Sequence, residues 1–94
     1  MRVEPVEIFS DTTNNVVMKH PGRKFPGVLI QGDSLAAMCQ KADRICEVAR
    51  DCLSQEAYAE LNELRNGLWS YLTHYKSVLG DHKIPLPFTD REVS

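Results

Sequence analysis

HPGRKFPGVLIQGDSL, residues 20–35, gathers the residue types that bind anions or protein partners. Gly22, Gly27 and Gly32 fall among Lys19, Arg23 and Lys24, and Gly32-Asp33-Ser34 stands directly before an apolar-periodic run. Amides at a helix start point outward and can hold a phosphate. Gly32, Asp33 and Ser34 are therefore a candidate anion or nucleotide site. Asp33 competes with that use, because its carboxylate can cap the same amides. The glycine spacing matches neither the dinucleotide fingerprint nor the phosphate loop, and no Gly-Lys-Ser/Thr occurs. Turns joining a small sheet to a helix account for the stretch better. They leave His20, Arg23 and Lys24 on a hairpin tip, where they can meet a partner protein.

The other reactive side chains are dispersed. Histidines stand at 20, 74 and 82 with no HxxxH pair, and Cys39, Cys46 and Cys52 include no CxxC, so no metal site is expected. Cys46 with His74 makes a thiolate–imidazole pair only if two helices bring them together. His74 with a tyrosine or carboxylate would serve a small enzyme, a third reading that needs a concave pocket. Glu56, Glu60 and Glu63 form an acidic row at helical spacing. Such a row suits a solvated face or a dock for a basic partner better than acid–base catalysis, which requires carboxylates with separated pKa values. Trp69 lies among Tyr58, Tyr71 and Tyr75. Aromatic side chains suit interface centres, so Trp69 is the expected contact between chains. Its alternative role is to cover the edge of the core.

Bulk properties narrow the class. Ninety-four residues make one domain with one thin core, burying roughly 60–65% of the unfolded surface. Oligomerisation would enlarge that core. Eleven basic against 13 acidic residues give a net charge of -2, which argues against a nucleic-acid binder. No run approaches the ~20 apolar residues of a membrane span. Arg2, Glu4 and Glu7 break any leader-like apolar run. Three unpaired cysteines then fit a reduced, cytoplasmic protein.

Three strands and two helices must position these groups. VEPVEIF (3–9) reads as a strand with Pro5 at its entry, residues 10–15 as a turn, Val16-Val17-Met18 as a second strand and GVLIQ (27–31) as a third. Pro21-Gly22 fits a type II turn with Gly22 at positive φ. The resulting antiparallel meander needs a cover for its apolar face. A helix capped by Asp33 or Ser34 runs to about residue 52, with Leu35, Met38, Ala42, Ile45, Ala49 and Cys52 as its stripe and Cys39, Cys46 and Leu53 widening it. A second starts at Ser54, ends at Gly80, and carries Ala57, Leu61, Leu64, Leu68, Tyr71, Tyr75 and Val78. At ~25 residues it is ~37 Å long, so part of its stripe must meet something beyond the sheet, most simply a partner subunit. Pro85 and Pro87 make the tail extended. Ile84, Leu86 and Phe88 can dock as an arm, and the polar last six residues are expected to fray.

The stretch from Asn14 to Leu35 resembles a family of small uncharacterised bacterial proteins. His20 to Arg23, Phe25 to Gly27 and Gln31 to Leu35 carry the likeness, over about a quarter of the chain. By analogy with small bacterial proteins, the resemblance implies an immunity protein, antitoxin or accessory subunit. The reading is thus an α+β fold, a three-stranded antiparallel sheet followed by a helical hairpin. Its expected role is a non-enzymatic protein-binding module, immunity-like, oligomeric and without cofactor.

Overall fold

The structure is a computed structural model that describes residues 1–13 and 15–89. Most of the segment expected to fray lies outside them. The chain forms β1 (Glu7–Ser10), β2 (Val16–Lys19), β3 (Gly27–Leu29), α1 (Gly32–Ala49) and α2 (Gln55–Asp81). This is the expected α+β order. It divides into two compact units, Met1–Gln31 and a second that begins at Gly32.

The first unit is an antiparallel meander of order β1-β2-β3. β1 starts at Glu7 rather than Val3, and β3 stops at Leu29 rather than Gln31. Ile8 pairs with Met18 and Ser10 with Val17, so Phe9 is the extra residue of a bulge. Glu7 faces Lys19 across the ladder, a favourable opposite-charge pair. Val16 pairs with Leu29 and Val17 with Val28. By strand alternation apolar groups occupy both faces, and Ile8, Phe9, Val28 and Leu29 remain exposed. At the β2–β3 turn the Arg23 amide donates to the His20 carbonyl at 3.0 Å. None of the described glycines has positive φ, so this is not the expected type II turn. Glycine serves Gly22 sterically instead, since a Cβ there would lie 3.2 Å from His20 Nδ1.

The second unit is an αα-hairpin. Its core is Leu35, Ala36 and Cys39 of α1 with Leu72 of α2, edged by Leu68, Trp69, Tyr75 and Phe88. Phe88 is the expected arm, docked on its own hairpin. α1 begins at Gly32, not at an Asp33 or Ser34 cap, and ends at Ala49 rather than near 52. Gly32 is buried because the Tyr75 ring packs on its Cα, where a Cβ would clash with Cζ and Oη. α2 begins as expected, with Ser54 Oγ accepting from the Ala57 amide at 3.2 Å. It passes through Gly80 and closes one turn later. Ile84 N donates to Leu79 O at 2.9 Å and Lys83 N to Gly80 O at 3.2 Å, with Lys83 at φ 57°. This is a Schellman closure with lysine at the position that favours glycine.

The seam is narrower than the apolar stripes. In α2, Leu61, Leu68 and Tyr75 are partly buried, whereas Leu64, Tyr71 and Val78 are exposed. In α1, Cys39 and Cys46 are buried and Met38 and Ile45 are exposed. No helix among the described residues is long and apolar enough to cross a membrane.

Three substitutions test this geometry in thermal melts. Gly67, mid-helix with open space around its Cα, should gain about 0.5–1 kcal/mol as Gly67→Ala. Lys83→Gly should gain about 1 kcal/mol by relieving left-handed strain. Gly32→Ala should lose about 1–3 kcal/mol by displacing Tyr75.

Candidate functional site

The polar side chains of the hairpin converge on one carboxylate. Asp43 Oδ1 accepts from Arg65 Nε at 2.5 Å and from Trp69 Nε1 at 2.9 Å. Arg65 and Trp69 stand four apart, so α2 presents both on one face. The Asp43 side chain is 14% exposed and that of Arg65 31%, and Asp43 Oδ2 is buried with no hydrogen-bond partner among the described residues. Hydrogen bonding to Asp43 pushes the Arg65 guanidinium above its already high ordinary value. Arg65 Nη1 also donates to Asn66 Oδ1 at 3.2 Å.

Beside this clamp lies a cleft of about 390 Å³, lined by Asp43, Cys46, Glu47, Arg50, Tyr58, Asn62 and Arg65. Hydrogen bonding with Tyr58 pushes the Arg50 guanidinium upward too. Two cations and two anions share the walls, so the cleft neutralises itself and offers a small anion no charge surplus. No histidine lines it to activate Cys46. Cys39 is wholly buried, and its thiol is pushed above its ordinary value first by burial and then by the Asp43 charge.

The first unit holds a second concavity. Met18, His20, Arg23, Phe25, Gly27, Val28 and Leu29 line a groove of about 240 Å³. Its rim is an ordered turn, in which His20 Nδ1 accepts from the Gly22 amide at 2.9 Å. Lys24 Nζ stands 5.5 Å from the centre of the Phe25 ring, a cation–π contact.

The expected site residues fall into separate places. His20, Arg23 and Lys24 are exposed together on the β2–β3 turn, with Phe25 as the anchor that sequence reading passed over. Glu56, Glu60 and Glu63 are exposed along α2. Trp69 is partly buried against the core and commits its N–H to Asp43, which is the edge-of-core role. Gly32 lies beneath Tyr75, and Asp33 Oδ1 accepts from the Ser34 amide at 2.9 Å. Cys46 is buried in the seam and His74 is exposed on α2, about 13 Å of helix beyond Arg65; the thiolate–imidazole pair does not form. Asp43 and Arg65 were legible in principle. Each stands eleven residues from the Ser54 corner, so an antiparallel hairpin must bring them level.

Three outcomes check the site. Asp43→Ala should cost about 2–3 kcal/mol, since it strands a half-buried guanidinium and the indole N–H, and should red-shift emission from Trp69, the single tryptophan. A thiol reagent should modify Cys52 rapidly in the native protein and reach Cys39 and Cys46 only on unfolding. Because folding raises the Cys39 value, the unfolded thiol ionises first. The Cys39 contribution is therefore constant at lower pH and stability falls as pH rises past 9.0, readable from denaturation midpoints.

No curated protein and no solved structure matches the chain. Residues 1–88 match a family of unknown function, DUF6959, and the chain belongs to that family.

Proposed function

We propose that this chain is a non-enzymatic protein-binding module whose contact surface is the β2–β3 turn. One observation carries the reading: Phe25 is 72% exposed on a turn held by two hydrogen bonds and ringed by His20, Arg23 and Lys24. An aromatic ring left in water gains the fold nothing, whereas a bare ring beside an arginine on pre-ordered backbone is the pattern of an interface centre. The groove behind it, with Met18, Val28 and Leu29, can receive an apolar side chain in return.

Charge selects the partner. The turn is basic on a chain of net charge -2, so the complementary surface is an acidic rim around an apolar pocket. Within this reading the chain acts as an immunity-like inhibitor in a reducing, cytoplasmic setting, occluding its partner by contact rather than by chemistry.

Affinity capture of tagged chain from its native lysate, beside an Arg23→Glu/Lys24→Glu/Phe25→Ala variant, tests the proposal. Wild type should retain one stoichiometric protein that the variant loses, and that protein's activity should drop when wild-type chain is added back. Equal recovery by both chains would contradict the surface. Unchanged partner activity would contradict inhibition alone.

A further inference from the structure

We infer that a second copy of this chain covers the side of the helical hairpin opposite the Asp43 clamp, giving a two-fold four-helix assembly. The inference rests on the hairpin and not on the β2–β3 turn. At 100° per residue, Asp43 and Trp69 lie on one flank of the Cys39–Leu72 seam, while Met38 and Tyr71 lie on the other. Met38 and Ile45 on α1, with Leu64, Tyr71 and Val78 on α2, repeat every seven residues along that second flank. All five are exposed, Leu64 at 63% and Tyr71 at 70%.

The size suits a stable dimer. α1 is ~27 Å long, and two packed helices are ~20 Å across. One copy thus offers on the order of 500 Å² in projection, which side-chain relief brings toward the ~800 Å² per partner of a standard interface. An apolar patch of this extent marks an interaction site. The hairpin alone also buries few apolar side chains: Leu35, Ala36, Cys39, Cys46 and Leu72 among the described residues.

Self-complementarity selects the occupant. The clamp sets Leu64 level with Ile45, and Tyr71 level with Met38, inside one hairpin. A two-fold axis along the helices keeps every level and lays α1 of one copy over α2 of the other. Leu64 then meets the second copy's Ile45, Tyr71 meets its Met38, and each contact occurs twice.

Sedimentation equilibrium on the full chain tests this. Wild type should weigh twice 10.7 kDa. Leu64→Glu and Tyr71→Glu should each weaken association at least about thirtyfold while keeping helical circular dichroism, and Val48→Glu, on the outward face of α1, should leave it intact. Should the glutamate variants fail to fold, mixed-label NMR of wild type decides, with intermolecular contacts expected from the Tyr71 ring to the Met38 methyl and from Leu64 to Ile45. Wild type at 10.7 kDa at every concentration, a dimer indifferent to both glutamates, a dimer without those contacts, or a foreign protein seated on these residues would each overturn it.

Discussion

Everything in the helical unit depends on where Asp43 stops α2 from sliding. Apolar packing between two helices is tolerant of shifts along the axis, because one leucine can replace another in the same groove. A carboxylate oxygen that must receive both a guanidinium and an indole N–H is not tolerant. Any slip would strand a half-buried charge beside an oxygen, Oδ2, that has no donor among the described residues. The pair adds little net stability against an apolar replacement. It supplies a unique register, the best-attested use of a polar group placed in a helix seam.

The register has consequences at both ends of the hairpin. It brings Tyr75 over Gly32, which explains why the first residue of α1 has no side chain. It also lets the end of α2 run past the start of α1, where the Schellman closure turns the chain back and Phe88 returns to the core. On the flanks it separates chemistry. The Asp43–Arg65 ion pair and the self-neutralised cleft take one side, while the heptad of Met38, Ile45, Leu64, Tyr71 and Val78 takes the other. The β unit is held by a different rule: the His20 ring accepts from the Gly22 amide in the turn before Arg23, and Lys24 stands over the Phe25 ring.

Much of this architecture was legible. Short apolar runs with β-branched residues, flanked by turn residues, mark the strands, and Ser54 marks the second helix because its oxygen can reach the Ala57 amide. The α2 stripe misled because it merges two rows about 30° to either side of its mean direction. Only Leu61, Leu68 and Tyr75 turn toward the seam, and hydropathy cannot distinguish them from Leu64, Tyr71 and Val78. Asp43 and Arg65 escaped the same test, since a periodicity of apolar residues has no place for a polar one in the core. Gly32 was misjudged for a non-local reason: its partner, Tyr75, is far away in sequence. Gly22 and Gly80 show the reverse error, in which glycine's conformational freedom was assumed where none is used. The turn at 22 needs only room for His20, and the left-handed residue after α2 is Lys83.

Hydrogen exchange at the Trp69 indole tests the clamp most directly. As the single tryptophan, it gives one indole N–H signal. The account predicts slow exchange in wild type and exchange near the free-indole rate in Asp43→Ala, with the helical amides still protected. Rapid indole exchange in the wild-type protein would mean that Asp43 does not hold the helices in register.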